Sequence, residues 1–183
     1  MAKFEPCFNK VITLEGGYTL HEISGDRGGM TYAGIARNHW PKWPGWVKVD
    51  TKEFDAELTG MVQSFYKEHF WDKIKGDDIA AQDVAYHLYD FSVNAGTKVS
   101  VRITQRILGA TPDGVFGNKT FSLLNESVQD EKDERIFVLM FNLMKVFRYK
   151  DICMNDSRRK GDRLVSNQKF LCGWINRVQG GLK

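Results

Sequence analysis

Apolar residues recur at helical spacing through most of the chain. Near the start, four of them lie on one face of a helix predicted over residues 4–15: Phe4, Phe8, Val11 and Ile12. Gly16-Gly17 would end this helix. The same spacing predicts a short helix over residues 31–36 and longer ones over residues 52–69, 78–93, 97–108, 117–125, 131–152 and 162–179.

No long stretch of the sequence alternates between apolar and polar residues as a β-strand would. We therefore expect an all-α, mainly helical fold of six to eight helices with at most a small β element. Residues 18–30 are rich in Gly, Ser and Asp, which predicts a loop. Asp78 is placed to cap the helix that runs to about Val93.

Three tryptophans cluster around two prolines between the predicted helices: Trp40, Trp43 and Trp46. They could supply flat faces for sugar stacking. Aromatic residues near prolines more often pack a loop onto the core, so we favour packing.

The composition is that of a globular protein, with 42% apolar and 27% charged residues. The formal net charge of +3 would draw the molecule towards anionic polymers such as cell wall or nucleic acid. The sequence contains no recognisable basic recognition helix, so we expect no nucleic-acid partner.

The cysteines and histidines predict neither a disulfide framework nor a metal site. The three cysteines lie far apart in sequence without C-x-x-C spacing, and we expect buried, reduced thiols: Cys7, Cys153 and Cys172. The four histidines share no metal-ligand spacing: His21, His39, His69 and His87. No cofactor or metal is therefore expected.

The sequence predicts a protein that is cytoplasmic when synthesised. Residues 1–6 lack the apolar region of a signal peptide. The most apolar stretch, residues 136–147, is too short to span a bilayer and contains Asn142 and Lys145, so we expect no stable membrane insertion. A substrate in the periplasm or cell wall would require a holin or another export system as a partner.

Glu15 would be the last residue of the first helix. The C-terminal end of a helix carries partial negative charge, which favours a neutral carboxylic acid over a carboxylate, and a neighbouring apolar wall would favour it further. A glycosidase needs a protonated carboxylic acid of this kind to donate a proton to a departing sugar oxygen. The alternative is structural, because a residue followed by Gly16-Gly17 is a common way to end a helix.

Asp26 and Thr31 follow Glu15 along the chain. Asp26 lies eleven residues after Glu15, and the flexible loop could bring its carboxylate to the far side of a sugar. Two carboxyl groups about 5 Å apart favour a covalent nucleophile, and about 6.5–9.5 Å favours an activated water; the sequence leaves both open. Thr31 offers a hydroxyl that could hold this water. Asp26 could equally be a turn residue.

Four further residues are candidate substrate contacts. Gly17 presents no side chain that would block a bulky polymer, and Tyr18 could line a sugar cleft or pack against the core. Asp90 and Asn94 are four residues apart on one predicted helix face. They could contact substrate or support Glu15 through hydrogen bonds, while Asn94 could equally cap its helix.

Taken together, several segments resemble glycoside hydrolase family 108, whose members are N-acetylmuramidases found as phage-type endolysins and in proteins labelled secretion activators. The order Glu, Asp, Thr is also similar to the catalytic order of phage lysozymes, with a somewhat different spacing. The segments that carry the resemblance follow one another in the expected order: Glu15-Gly-Gly-Tyr, Asp26-Arg-Gly-Gly-Met-Thr31, Gly34-Ile35, residues 90–96, 104–109, 113–117 with Thr120, and 173–178.

The resemblance implies a lysozyme-like fold that cleaves peptidoglycan glycan strands next to N-acetylmuramic acid, without a metal. Glu15 would be the general acid, Asp26 would give electrostatic support or activate water, and Thr31 would position the water. Residues 1–95 would form the catalytic part. Residues 96–183 would form a peptidoglycan-binding-like part, and we expect the two to pack as one body.

Two other functions compete with the muramidase hypothesis. A wall-binding or secretion-accessory protein that no longer cuts would keep the resemblance without the activity. A helical nucleic-acid binder would use only the positive charge. Retention on intact cell walls without release of sugar ends would favour the first, and salt-sensitive retention on DNA without affinity for the wall would favour the second.

Overall fold

The computed structural model describes residues 1–21, 29–154, 158–160, 163–165 and 167–180. Contacts divide the chain into two compact units, Met1–Thr97 and Lys98–Lys183, and each unit is described by itself. Eight α-helices account for most of the described residues, and the strands among them are short. The prediction of a mainly helical fold with a small β element is therefore confirmed.

Unit 1 contains four helices and a small sheet. The helices are α1 (Phe4–Leu14), α2 (Trp46–Thr51), α3 (Ala56–Tyr66) and α4 (Gln82–Ala95). Short π and 3-10 turns follow α3 at Lys67–Trp71, Asp72–Ile74 and Gly76–Asp78. The antiparallel sheet has the order β1 (Leu20–His21), β2 (Thr31–Tyr32) and β3 (Ile35–Ala36), with Leu20 opposite Tyr32 and Tyr32 opposite Ile35.

Unit 2 consists of helices and one small hairpin. Its helices are α5, which begins at the boundary between the units (Thr97–Ile107), α6 (Asn118–Ser127), α7 (Glu131–Met154) and α8 (Gln168–Gly180). Strands β4 (Arg158–Lys160) and β5 (Arg163–Val165) pair antiparallel. Across both units, no helix of the described residues is long and apolar enough to cross a membrane.

The predicted helix over residues 31–36 is wrong, because these residues form the hairpin of β2 and β3. Ala33 and Gly34 connect the strands with φ values of +49° and +77°. A two-residue turn with positive φ at both positions matches the twist of paired strands. Gly34 supplies this conformation without a steric cost, and its presence fixes a tight turn where apolar spacing alone indicated a helix.

Several predicted helix boundaries also move. The carboxylate of Asp55 accepts the N–H of Leu58 at 2.8 Å, so α3 begins after Asp55 rather than at residue 52. Asp78 lies in a 3-10 turn, and α4 begins at Gln82 without a side-chain cap. The last helix begins at Gln168, because the residues before it pair as β5.

An aromatic cluster forms the core of unit 1. Phe8 of α1 packs edge-on against Tyr66 of α3, with ring centroids 5.7 Å apart. Trp71 packs against Tyr89 of α4 at 5.6 Å, and Phe4 contacts both rings. Burial of these large side chains stabilises unit 1 and packs the first half of α1 against α3 and α4.

The three cysteines differ in their surroundings. Cys7 is buried, Cys153 is half-buried and Cys172 is exposed, so the expectation of three buried thiols is correct only for Cys7. Burial raises the pKa of the Cys7 thiol to about 11, against the lowering effect of its hydrogen bond from Gln82. At neutral pH this thiol is protonated and poorly reactive.

A buried glutamine organises the first half of unit 2. The Gln105 amide nitrogen donates to Asp113 Oδ1 at 2.7 Å, to the Val115 carbonyl at 3.1 Å and to Thr120 Oγ1 at 3.2 Å. Its amide oxygen accepts the Gly114 N–H at 2.9 Å. The Asp113-Gly114 turn therefore joins α5 to α6.

Candidate active site

Glu15 occupies the position at which α1 ends. The Gly17 N–H donates to the Ile12 carbonyl at 2.8 Å, and the Gly16 N–H donates to the Thr13 carbonyl at 3.2 Å. Gly16 and Gly17 have φ values of +90° and +70°. This is the Schellman arrangement, in which the last carbonyls of the helix are satisfied and the chain turns away sharply. The predicted helix stop is present, with Glu15 directly before it.

The half-buried Glu15 side chain lies against the turn of the β2–β3 hairpin. A Cβ atom added at Gly34 would lie 3.1 Å from Glu15 Cβ and 3.4 Å from Glu15 Cγ, and it would collide with the Tyr66 hydroxyl. Gly34 is thus required both by its positive φ and by the close approach of two side chains. The sequence singled out Glu15 and Gly34, and the structure brings them together.

Tyr66 holds the hairpin turn beside Glu15. Its hydroxyl donates to the buried Ala33 carbonyl at 2.9 Å, while the Ala33 N–H donates to the Thr19 carbonyl at 3.1 Å. The turn is therefore fixed from α3 and from the segment that follows α1. Sequence reasoning missed Tyr66, because its position in an apolar helix pattern indicates only a core residue.

Tyr89 adds a second buried phenol to this region. Burial raises its pKa well above the ordinary range, and the charges of Tyr66, Cys7, Asp90 and Glu15 contribute further. Its hydroxyl has no hydrogen-bond partner among the described residues.

Thr31 and Asp26 are the other predicted catalytic residues. Thr31 is half-buried in β2, and its hydroxyl donates to the Gly29 carbonyl at 3.2 Å. The oxygen of this hydroxyl keeps lone pairs that can accept a hydrogen bond from water. Asp26 lies outside the described residues, so its relation to Glu15 stays a prediction.

Gly17 and Tyr18 lie two and three residues after Glu15. Among the residues that the structure describes, no atom lies within 4 Å of a Cβ atom added at Gly17. Tyr18 is 41% exposed, and its partial burial raises the pKa of its hydroxyl. An open backbone position and an exposed aromatic ring next to a carboxyl group suit contact with a sugar.

Asp90 and Asn94 both lie on α4 but differ in burial. Asp90 is only 3% exposed, which favours a supporting role over direct contact with a polymer. Asn94 is half-buried near the end of the helix. Among the residues that the structure describes, no three His, Cys, Asp or Glu side chains cluster as metal ligands would.

The tryptophan cluster mainly packs, as expected. Trp43 and Trp46 are buried, and their rings are perpendicular with centroids 5.2 Å apart. Trp40 is more exposed and lies against Phe65 and His69, with ring centroids 4.9 and 4.5 Å away. Trp40, Phe65 and His69 line a groove of about 770 Å³ in unit 1.

Comparison with protein families finds two adjacent matches that cover most of the chain. Residues 8–96 match the model described as Glycosyl hydrolase 108, and residues 99–179 match the model described as Predicted Peptidoglycan domain. The first match ends and the second begins on either side of the boundary between the two compact units.

Comparison with solved structures gives a similar fold. The chain is similar to SagA from Brucella abortus, with a TM-score of 0.69 and 22% sequence identity over 97% of this chain and 90% of that one. At this identity the similarity concerns the fold. Among curated protein sequences, no relative matches the chain.

Proposed function

Because the chain belongs to the glycosyl hydrolase 108 family, we propose that it hydrolyses the β-1,4 bond between N-acetylmuramic acid and N-acetylglucosamine in peptidoglycan. Glu15 is the proposed general acid. The observation that carries the proposal is the placement of Glu15 at the sharp end of α1, half-buried against the Gly34 turn that Tyr66 holds. A proton donor needs such a fixed position beside a space that a sugar can enter.

In the proposed reaction, Glu15 donates its proton to the glycosidic oxygen as the bond to the anomeric carbon breaks. The sugar ring then carries positive charge, which a second carboxylate would stabilise. Asp26 is the proposed source of this carboxylate, either as electrostatic support or as the base that activates water. Thr31 would hold the attacking water through its hydroxyl oxygen.

Gly17 and Tyr18 are the proposed contacts for the glycan next to Glu15. The open space at Gly17 admits the backbone of a sugar chain, and the exposed Tyr18 ring offers a flat apolar face with a hydroxyl at its edge. Asp90 and Asn94 would support the position of Glu15 through hydrogen bonds. The wall location of this substrate makes delivery by a holin or another export system part of the proposal.

The test compares wild type with Glu15→Gln on purified peptidoglycan, followed by turbidity and by mass spectrometry of the released fragments. Glu15→Gln keeps the shape of the side chain and removes the proton, so we expect the rate to fall by at least about 100-fold. Glu5→Gln, in the exposed first turn of α1, is the matched control and should keep full activity.

Full activity in Glu15→Gln would overturn the assignment of Glu15. Release of fragments with N-acetylglucosamine, rather than N-acetylmuramic acid, at the reducing end would overturn the assignment of the cleaved bond. Inactivity of wild type on walls of several chemistries would reject the enzymatic proposal altogether.

A wall-binding protein without hydrolytic activity is the second candidate function. The match of residues 99–179 to a peptidoglycan domain favours it, because binding alone would require only this part. Retention on intact sacculi without any new reducing ends would support it, whereas fragments released by wild type and not by Glu15→Gln would exclude it.

A further inference from the structure

We propose that unit 2 binds the carboxylate groups of the peptidoglycan stem peptide in a pocket between α5 and α7. This inference rests on the proposed function, because it assigns the recognised group within the same polymer. The pocket has a volume of about 490 Å³, which is within the range of small-ligand sites. It lies entirely within unit 2.

Three arginines line this pocket. Arg102 and Arg106 are four residues apart and therefore lie on the same face of α5, and Arg148 approaches from α7. Within the described part of the chain, none of the three takes part in an ion pair. Arg102 lies near Asp113 and helps to lower the pKa of that carboxyl group. The acid in the pocket, Asp151, contacts Lys150 at 3.2 Å.

Arg148 provides the sharpest indication of a missing partner. Its Nε–H is buried and has no acceptor among the described residues. A buried donor without an acceptor is unfavourable, and the guanidinium fork matches the two oxygens of a carboxylate. A carboxylate that binds the outer edge of this guanidinium group in the pocket would neutralise part of the positive charge that the two helices supply.

The remaining lining favours a carboxylate on a small organic body over a free inorganic anion. Val99 and Ile103 line the α5 side, and Met144 and Phe147 line the α7 side. A stem peptide combines carboxylates with short alkyl side chains, and so complements both the arginines and these apolar groups. A strongly hydrated phosphate would complement only the arginines.

The experiment titrates the full-length protein with a synthetic stem tripeptide that has free carboxylates and follows amide and arginine side-chain NMR signals. We expect saturable shifts at Arg102, Arg106 and Arg148, and binding that weakens as salt is raised. Arg148→Met should weaken binding at least about tenfold, because it keeps the apolar stem but removes the fork. Arg135→Met removes the same charge from an exposed position of α7 and should change affinity less than about twofold.

The same tripeptide with amidated carboxylates, inorganic phosphate and poly(glycerol phosphate) complete the test. Equal binding of the amidated peptide, or an unchanged affinity in Arg148→Met, would overturn the proposal. Binding of phosphate or poly(glycerol phosphate) without binding of the peptide would also overturn it. Circular dichroism of each variant shows that it is folded.

Failure of this inference and failure of the proposed function give different results. A protein that cleaves glycan strands but shows no peptide binding would reject the pocket and leave Glu15 chemistry intact. A protein that binds the tripeptide but releases no fragments from any wall would reject the hydrolase and leave the pocket intact.

Discussion

Tyr66 and Tyr89 are both buried in the core of unit 1, yet their hydroxyl groups have different surroundings. The Tyr66 hydroxyl donates to the Ala33 carbonyl at the hairpin turn, whereas the Tyr89 hydroxyl has no hydrogen-bond partner among the described residues. The same atom type therefore stabilises the site at one position and imposes a desolvation cost at the other.

Replacing each tyrosine with phenylalanine tests this contrast. Tyr66→Phe leaves a buried carbonyl without its donor, so we expect a loss of about 1–2 kcal/mol in unfolding free energy and a reduced rate of glycan cleavage. Tyr89→Phe should change stability by less than about 0.5 kcal/mol or increase it. Urea denaturation measures both changes. Equal destabilisation by the two variants would contradict the assignment of the hydrogen bond.

Gly34 is the other residue on which the position of Glu15 depends. Gly34→Ala adds both a strained positive φ and a collision with Tyr66 and Glu15, so we expect a loss of about 2–4 kcal/mol. Gly109→Ala is the matched control, because Gly109 at the end of α5 also has a positive φ, +66°, but no atom of the described residues lies within 4 Å of its added Cβ. It should cost about 1 kcal/mol in thermal denaturation. Similar losses in both variants would show that crowding beneath Glu15 is unimportant.

At the scale of single residues, the sequence predicts the position of the candidate acid but not the residues that surround it. The position of Glu15 at the end of α1 could be predicted because Gly16-Gly17 marks a helix end, and the structure has this helix end. Tyr66 could not, because its partner Ala33 is 33 residues away and a hydrogen bond between distant residues leaves no local pattern. The pairing of Asp26 with Glu15 likewise depends on a loop path that local patterns do not specify.

Among the elements, long helices are predicted well and short elements are not. The helix α7 spans several turns of regular apolar spacing, and its predicted range of 131–152 differs from the observed Glu131–Met154 only at the end. The strands β2 and β3 have two residues each, too few for an alternating pattern to be visible. Their turn chemistry at Ala33-Gly34 was the available signal.

The loop between α5 and α6 makes the stability of unit 2 depend on pH. Hydrogen bonds from the Val115 N–H and from the Gln105 amide hold the pKa of Asp113 below its ordinary value of 3.8. A carboxyl group with a lowered pKa in the folded state stabilises the fold above its unfolded pKa, and this contribution is lost as the pH falls through the folded value.

Asp113→Asn should therefore reduce stability at pH 7, and the difference from wild type should shrink as the pH falls from about 5 to about 2. Urea denaturation of both proteins across this range measures the effect. Glu126→Gln, an exposed substitution on α6, should show a constant difference from wild type. A gap between Asp113→Asn and wild type that widens in acid would contradict the proposed role of these hydrogen bonds.

At the scale of the whole molecule, the contact boundary after Thr97 agrees with the boundary between the two family matches. Each unit also contains a buried side chain that joins two of its segments by hydrogen bonds, Tyr66 in unit 1 and Gln105 in unit 2. We therefore predict that removing the hydrogen bonds of either side chain destabilises mainly its own unit.

Hydrogen exchange with mass spectrometry tests this separation. Gln105→Met removes four hydrogen bonds of the α5–α6 connection and should increase exchange across α5 and α6. Exchange in α1 and α3 should stay close to wild type, and Tyr66→Phe should give the reverse distribution. An increase spread evenly over both units in either variant would show that they unfold together.

The backbone at Gly96 has a practical consequence for engineering. This residue ends α4 with a positive φ, and α5 begins at the next residue. A Cβ added at Gly96 would lie more than 4 Å from any atom of the described residues. A chimera spliced at Gly96 would keep every described helix of both parents whole. Under the proposed function, exchanging unit 2 between proteins that match the same two family models at that glycine should yield hybrids in which wall binding and glycan cleavage are chosen separately.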